Sequence, residues 1–425
     1  MSLVVGEVVA VGIFLTPAGM AKALASPMWL LIVWVVMGLM ALCGALCYGE
    51  LAARFPQAGG SYVYLREAYG PRVAFLYGWM LLLVLDPGLT AALAVGLSKY
   101  ASFIIPLSPG GMKALGIGMI LLTALVNILG VRLGAGIMQG LTFLKLGFLA
   151  FIALWGFGRG LGSWSNFTPF AAQPALPFAR ALATGLIGAF FAFGGWWDVG
   201  KLAGEVREPE KVLPRVFAYG VLIVTAVYII TSAVFMYLVP VGSVTSDETF
   251  AAQAGEVLFG GVGAQVFSAI VALSVLGSLA AFMMGAPRVY YAMARDRLFF
   301  KAVSEVSRRF DTPARAILLQ AALASLLVAA GSFSEIVAYF FFVTIVFIAM
   351  TVFSVFILRR RKKQGAAAFR TPGYPLTPLF FTLLVTILLV LLAANNPRQA
   401  FLGVGVVALG LPVYQLLFRE RVQRQ

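Results

Sequence analysis

Apolar residues lie along the chain in long runs, separated by short clusters of glycine, proline and charged residues. A run of roughly 20 apolar residues is long enough for a helix to cross the hydrocarbon core of a bilayer. Twelve such runs predict membrane-spanning helices that start near residues 1, 28, 72, 113, 133, 180, 214, 262, 314, 333, 375 and 398. The pattern therefore predicts an all-α, polytopic membrane protein with 12 transmembrane helices.

The composition supports this class and excludes others. Hydrophobic residues make up 61% of the chain and charged residues 11%, whereas a soluble domain contains roughly 25% charged residues. This difference excludes a soluble enzyme. The chain contains no histidine, which removes the usual metal ligand and proton relay, and no spaced cluster of carboxylates or cysteines replaces it. We expect no enzymatic activity, no metal and no cofactor.

The net charge of +15 would suggest a nucleic-acid partner for a soluble protein, but in a membrane protein it reports topology. With a cytoplasmic N-terminus, 24 of the 31 lysines and arginines fall in cytoplasmic segments, Lys201 among them, and six fall in outer loops. This asymmetry predicts a multi-pass protein of the cytoplasmic membrane with both termini in the cytoplasm. The basic runs 359–363 and 419–424 are expected to meet anionic lipid headgroups.

The remaining cation, Lys145, lies about eleven residues from the cytoplasmic end of its predicted helix, or ~16 Å at 1.5 Å per residue. Ionisable residues within a membrane are functional candidates by default, and Glu7, Asp86 and Asp198 join Lys145 in this group. Each acid also has a structural alternative. Asp86 precedes Pro87 and could satisfy freed backbone donors or pair with Lys145, Glu7 could be solvated in a cytoplasmic vestibule, and Asp198 could cap a helix rather than touch a substrate.

Two predicted helices are interrupted by glycine near their centres. Gly12 interrupts the first helix, and Gly194-Gly195 interrupts the sixth. Placed five helices apart, these breaks occupy corresponding positions in two halves of an inverted repeat, a pattern that points to a transporter site. Broken helices leave amide N–H groups and carbonyl oxygens unsatisfied, and an α-amino acid can bind both kinds of group. The alternative is that these glycines only allow helices to pack closely.

Four stretches in a fixed order carry a resemblance to a known family. They are GALCYGEL at 44–51 with AGGSY at 58–62; FFAFGGW at 190–196 with PEKVLP at 209–214; residues 274–278 with YAMARD at 291–296; and LPVY at 411–414. With these motifs the chain resembles the amino acid/polyamine/organocation superfamily, in particular its L-type amino acid transporter branch.

The resemblance implies a fold and an activity. The fold is a five-plus-five inverted repeat with broken helices 1 and 6, in which 1–159 form the first repeat, 180–360 the second, and 375–418 two additional helices. The activity is sodium-independent secondary transport of amino acids by alternating access, as an exchanger or coupled to protons.

The resemblance also implies a substrate site at the two breaks. Backbone amides of Val11 and Gly12 would bind the substrate carboxylate, and carbonyls of Val8, Phe191 and Gly194 would bind its ammonium, with Phe191 closing over it as an aromatic gate. The complete implied site consists of Val8, Val11, Gly12, Ile13, Phe191, Ala192, Phe193, Gly194 and Gly195. The family's Gly-Ser-Gly at the first break is Ala10-Val11-Gly12 in this chain.

Lys145 matches a helix-5 lysine that replaces sodium in sodium-independent members, and Ser278 matches its helix-8 hydroxyl partner. Lys145 would titrate as a coupling proton site, stay charged and stabilise the exchange-competent state, or act as a permanent brace. Glu50 and Glu205 lie at cytoplasmic helix ends, where they would latch an inner gate or simply be solvated.

The family's cysteine for a disulfide-linked heavy chain is replaced by Ser108, so the resemblance predicts a stand-alone prokaryotic protein whose partners are the amino acid and the lipid bilayer. Two other functions stay open at this stage. A cationic amino acid or polyamine antiporter would use Glu7, Asp86 or Asp198 against a second positive charge. A non-transporting nutrient sensor would share the fold, but the short tails argue against it.

Overall fold

The computed structural model describes residues 8–9, 12–57, 59–129, 131–174, 176–244, 250–307, 312–361 and 368–419, and these ranges contain helices and loops but no β-strand. The helices that form the first half are α1 (Gly12–Leu24), α2 (Pro27–Arg54), α3 (Ser61–Tyr69), α4 (Pro71–Met80), α5 (Asp86–Ser102), α6 (Pro109–Leu129) and α7 (Val131–Gly158). A π-helical turn, Leu81–Leu85, joins α4 to α5, and a 3₁₀ turn, Trp164–Phe167, follows α7.

The second half begins with α8 (Phe178–Phe193), which is followed by a 3₁₀ helix over Trp196–Glu205. The later α-helices are α9 (Pro209–Leu238), α10 (Phe250–Phe259), α11 (Gly263–Gly285), α12 (Pro287–Arg295), α13 (Lys301–Ser304), α14 (Ala314–Ala330), α15 (Phe333–Arg360), α16 (Leu376–Asn395), α17 (Pro397–Ala408) and α18 (Gly410–Leu417). Short 3₁₀ turns lie at Val241–Ser243 and Gly260–Val262.

Nine helical segments among the described residues are long and apolar enough to cross a membrane, and they coincide with nine of the twelve predicted spans. The other three predicted positions hold α1, α7 and α14. Large apolar side chains cover the outside of the bundle, where Leu154 and Phe401 leave 76% and 78% of their surfaces exposed. Such a surface suits lipid rather than water, so the chain is a multi-pass membrane protein.

The span Pro71–Ser102 lies at the centre of the bundle. In its most apolar stretch of 18 residues, 83% of the residues are buried, whereas in the corresponding stretch of Pro109–Leu129 the share is 28%. The difference arises because α5 packs against α6, α11, α14 and α15. Pro87 lacks an amide hydrogen and its ring crowds the preceding turn, and the helix widens into the π-turn just before Asp86. Proline chemistry therefore sets the local geometry around a fully buried acid.

Helices that lie five predicted spans apart along the chain pack against each other. The contacts pair α1 with α8, α2 with α9, α5 with α11, and α6 with α14. The start of α1 at Gly12 and the segment that ends at Gly194-Gly195, which are far apart in sequence, are therefore neighbours in the bundle.

A glycine pair at the start of α3 packs against the 3₁₀ helix that follows α8. The amide of Gly59 donates to the carbonyl oxygen of Lys201 at 3.3 Å. Gly60 has a φ of 52°, and a Cβ at this position would lie 2.9 Å from backbone atoms of Gly200 and Lys201. Only glycine tolerates both the backbone conformation and the close approach, which explains this part of the AGGSY motif.

Gly60→Ala is expected to lower the free energy of unfolding by about 2 kcal/mol or more, because alanine would be strained at this φ and would press on a rigid backbone. The measurement is thermal unfolding of the purified protein in detergent. Gly118→Ala is the control, since Gly118 lies in α6 and a Cβ added there would meet no atom within 4 Å. Equal melting temperatures for the two variants would contradict the expectation.

Candidate functional site

The second helix break lies at the glycine pair predicted from the sequence. Helix α8 ends at Phe193, Gly194 is extended, and Gly195 has a φ of 107°, after which the chain re-enters a 3₁₀ helix at Trp196. The Gly194 amide donates to the carbonyl oxygen of Phe191 at 3.0 Å. The left-handed conformation of Gly195 is one that L side chains rarely adopt, so this glycine is what permits the break.

Only part of the first break lies within the described residues. Val8 is 2% exposed, and α1 begins at Gly12. Glu7 and Val11, two of the predicted site residues, lie outside the described ranges. A Cβ at Gly12 would lie 2.5 Å from the Cα of Ala192, so the start of α1 touches the end of α8 backbone to backbone. Gly12 is thus required for close packing, which was the alternative interpretation of these glycines, and it brings the two breaks together.

A tyrosine from α9 links the two interrupted segments. The hydroxyl oxygen of Tyr228 lies 2.7 Å from the carbonyl oxygen of Val8 and 2.7 Å from that of Ala192, within hydrogen-bond distance of both. Tyr228 is fully buried and its ring packs against Trp34 and Phe193. Buried carbonyl groups need partners, and this hydroxyl supplies one at the meeting point of the breaks.

A cavity of about 50 Å³ opens where the breaks meet. By the same measure a single water needs roughly 10–15 Å³, so the cavity has room for a molecule of several heavy atoms. The described residues that line it come from the ends of α1 and α8, the 3₁₀ helix after α8, the π-helical turn, α5, α11 and α15. They are Val8, Gly12, Leu85, Leu89, Leu93, Phe191, Ala192, Gly194, Gly195, Trp197, Asp198, Ser278, Ala281, Phe282, Phe340, Phe341 and Thr344.

Most of the predicted substrate-site residues within the described ranges line this cavity. They are Val8, Gly12, Phe191, Ala192, Gly194 and Gly195. Ile13 and Phe193 are buried but are not among the described lining residues. The ring of Phe193 packs against Trp34 and Tyr228 instead. Phe191 packs against Phe341 with ring centroids 5.6 Å apart.

Lys145 and Ser278 form a hydrogen bond beside the cavity. The Lys145 ammonium donates to the Ser278 hydroxyl over 2.6 Å, and the two residues are 3% and 5% exposed. Ser278 in turn donates to the carbonyl oxygen of Ser274 at 3.3 Å. A buried cation is therefore fixed against a lining residue of the cavity by a charge-assisted hydrogen bond.

Comparison with known proteins decides the family. The family model described as amino acid permease matches residues 1–412. The chain belongs to the amino acid permease family. The resemblance to the amino acid/polyamine/organocation superfamily is thereby confirmed.

The permease is also similar along nearly its whole length to characterised transporters. It is 30% identical over 424 residues to the serine/threonine exchanger SteT of Bacillus subtilis, covering 97% of this chain and 94% of the exchanger. It is 28% identical over 427 residues to the human b(0,+)-type amino acid transporter 1, covering 98% and 86%. It is 28% identical over 427 residues to the human large neutral amino acids transporter small subunit 2, covering 97% and 78%. These relatives are transporters rather than enzymes.

Asp86 is 0% exposed in the permease, and its Oδ2 accepts a hydrogen bond from the hydroxyl of Tyr290. Its Oδ1 has no hydrogen-bond partner among the described residues. Among the described residues, the Asp86 carboxylate therefore does not bind the backbone donors freed by Pro87. Lys145, considered from the sequence as a possible partner, donates instead to Ser278.

Asp198 lines the cavity and forms an ion pair with Lys201, with 2.8 Å between Oδ1 and Nζ. Lys201, which the sequence places in a cytoplasmic segment, is only 6% exposed and lies within the 3₁₀ helix rather than in a solvated loop. The signal was present in the sequence, since Asp198 and Lys201 are three residues apart and share a face of a 3₁₀ helix.

Glu50 is 2% exposed and forms a two-point ion pair with Arg359, at 2.8 and 2.5 Å. Its Oε2 also accepts from the amide of Thr371 at 2.8 Å. Arg359 was expected to meet lipid headgroups with its basic run, and this expectation is wrong for that residue. Glu50 joins α2 to α15 and to the segment before α16, while the side chain of Glu205 lies outside what the structure describes.

A second polar cluster lies outside the spans, where Asp296 accepts from Tyr62 at 2.7 Å and pairs with Arg66. Burial and the hydrogen bond to Asp296 raise the pKa of Tyr62, so its hydroxyl stays protonated and donates. This cluster ties α3 to the end of α12.

Tyr228→Phe is expected to lower the free energy of unfolding by about 1–3 kcal/mol, because it leaves the carbonyls of Val8 and Ala192 without this donor in a buried place. The loss would be read as a lower melting temperature in detergent. Tyr219→Phe, on the same helix but 53% exposed, is the control. A Tyr228→Phe protein that melts with the control would contradict the role assigned to this hydroxyl.

Proposed function

We propose that the permease is a sodium-independent secondary transporter that exchanges amino acids across the cytoplasmic membrane by alternating access. The observation that carries the proposal is the convergence of Val8, Gly12 and Phe191–Gly195 on one cavity beside the Lys145 ammonium. The family and the similarity to a serine/threonine exchanger support exchange in particular.

The proposed architecture is twelve membrane helices with a five-plus-five inverted repeat, 1–159 and 180–360, followed by two helices in 375–418. The pairing of α1 with α8, α2 with α9, α5 with α11 and α6 with α14 supports a repeat, because each pair joins equivalent positions of the two halves. Both termini would face the cytoplasm. Removing Lys201 from the cytoplasmic set leaves the strong excess of positive charge on that side.

In the proposed binding mode the substrate satisfies the groups that the breaks leave open. Amides of Val11 and Gly12 bind the carboxylate, and carbonyls of Val8, Phe191 and Gly194 bind the ammonium. The Val8 carbonyl is also within reach of Tyr228, and a carbonyl oxygen has a second lone pair for the substrate. Phe191 would close over the bound amino acid. Binding both halves at once lowers the free energy of the occluded state relative to the empty one, which couples substrate to switching.

Lys145 would supply the positive charge that a sodium ion supplies elsewhere. Its ammonium is buried and held by Ser278 on α11, so it connects two helices next to the substrate. A fixed charge of this kind removes the need for a cation from solution. Whether Lys145 also releases a proton during the cycle distinguishes a proton-coupled carrier from a strict exchanger.

The proposal includes no disulfide-linked heavy chain, because Ser108 occupies the position of the linking cysteine. Glu50 and Glu205 would stabilise the closed cytoplasmic side, and the ion pair of Glu50 with Arg359 supports this for Glu50. Transport, and not catalysis, is the proposed activity.

Lys145→Ala is expected to lower amino acid exchange at least about tenfold, because it removes a buried charge-assisted hydrogen bond worth about 1.5–3 kcal/mol in typical cases, and about 1.4 kcal/mol corresponds to tenfold. The measurement is uptake of radiolabelled amino acids into proteoliposomes in choline buffer, with and without internal amino acid. Lys113→Ala is the control, since Lys113 is exposed and bonds only the Ala329 carbonyl in the described contacts.

Uptake by the unmodified protein should require internal amino acid and be unchanged by added sodium. Rates are normalised to protein that elutes as a single folded species, which separates transport from a purely bracing role. A Lys145→Ala protein with the original rate and pH profile would contradict the proposed role, and a requirement for sodium would contradict the proposed mechanism.

A further inference from the structure

The cavity contains one carboxylate in its described wall, and that carboxylate is already paired. Asp198 lines the cavity, and its Oδ1 lies 2.8 Å from the ammonium of Lys201 one turn later. The two side chains are 8% and 7% exposed. A 3₁₀ helix has three residues per turn, so the spacing places both groups on one face of the segment that follows the second break.

The Lys201 ammonium is placed by several contacts besides Asp198. It lies 6.0 Å from the ring centroid of Phe282, another lining residue, and it interacts electrostatically with Asp86. Its backbone is held by Gly59 and packed against Gly60. The cation is therefore fixed at the cavity wall.

Apart from Asp198, the described residues that line the cavity include no carboxylate for a positive side chain. The remaining lining is formed mainly by leucine and aromatic residues from α5, α11 and α15. Its two hydroxyl groups are already engaged, since Ser278 accepts from Lys145 and Thr344 donates to the Phe340 carbonyl oxygen at 2.7 Å. A substrate ammonium or guanidinium buried here would lose its hydration without gaining an available carboxylate.

We infer that Lys201 is a specificity-determining residue: its ammonium occupies the place of a cationic substrate side chain on Asp198 and so excludes amino acids with cationic side chains from the cavity. The inference rests on the proposed function, because it assumes that the cavity binds the substrate. It assigns opposite effects to the two members of the ion pair. Loss of the Lys201 charge exposes a carboxylate to the substrate, and additional loss of the Asp198 charge removes that carboxylate.

The Asp198–Lys201 pair differs in burial from a second lysine–carboxylate pair whose residues are also three positions apart. Glu208 and Lys211 are also three residues apart, with 3.1 Å between charged atoms, but their side chains are 65% and 61% exposed. Water screens that pair, so its removal should not change substrate choice. It provides a control with the same chemistry outside the cavity.

The experiment compares Lys201→Met with the unmodified protein in proteoliposomes preloaded with the neutral amino acid that exchanges fastest among L-alanine, L-serine, L-threonine and L-leucine. Competition by L-lysine and L-arginine is measured against competition by the same neutral amino acid. Methionine keeps the length and apolar stem of lysine but removes the charge. The expected result is a rise of at least about tenfold in the ratio of cationic to neutral competition.

Two further variants decide the cause. Asp198→Asn/Lys201→Met should lose the gained cationic competition while still exchanging neutral amino acids, and Lys211→Met should behave as the unmodified protein. The double variant removes both charges of the pair, so it also reports whether the fold tolerates loss of the pair. A gain in the double variant, or no gain in a folded Lys201→Met protein, would overturn the inference.

The outcomes for the unmodified protein separate this inference from the proposed function. If it exchanges none of the tested amino acids, neutral or cationic, the proposed function fails. If it exchanges cationic amino acids as readily as neutral ones with Lys201 in place, the function stands and the role of Lys201 is wrong.

Discussion

The requirement that every backbone polar group in a membrane be hydrogen-bonded governs this structure. A helix is interrupted at Gly194-Gly195, where the bilayer offers no water to its backbone groups, and the start of α1 at Gly12, where the sequence predicts a second interruption, lies beside it. Gly12 lets α1 touch α8 at Ala192, and the Tyr228 hydroxyl lies within hydrogen-bond distance of carbonyls from both segments. The cavity lies at this meeting point, where Val8, Gly12 and residues of the second break line it. An amino acid, with one anionic and one cationic group, is suited to complete the hydrogen bonding.

The few buried charges follow a second constraint, because each needs a partner in a medium that cannot hydrate it. Lys145 donates to Ser278, Lys201 pairs with Asp198, Asp86 accepts from Tyr290, and Glu50 binds Arg359. The first two partnerships border the cavity and the last joins helix ends. A chain with 11% charged residues therefore uses several of them for specific contacts between helices rather than for solvation. Replacement of Lys201 alone leaves the Asp198 charge buried without its partner, which is the basis of the Lys201→Met substitution.

The glycine pair at 194–195, the central position of Lys145 and nine of the spans could be predicted because these features are local in the sequence or depend on length and apolarity alone. Contacts between distant segments could not be predicted in the same way. Nothing around Tyr228 marks it as the residue that reaches Val8 and Ala192, and Arg359 in its basic run is typical of a headgroup contact although it binds Glu50. Lys201 was missed for a different reason. A positive-inside count assigns every cation near a helix end to a loop, and only the three-residue spacing from Asp198 indicated a buried pair.

The central claim is that the paired helix breaks bind the α-ammonium and the α-carboxylate of an amino acid together. Thermal stabilisation of the purified protein tests this most directly, using the neutral L-amino acid that exchanges fastest, its N-acetyl derivative and its methyl ester at equal concentrations. The account predicts that the amino acid raises the melting temperature and that neither derivative does, because each lacks one of the two charges. Equal stabilisation by the N-acetyl derivative or the ester would contradict it.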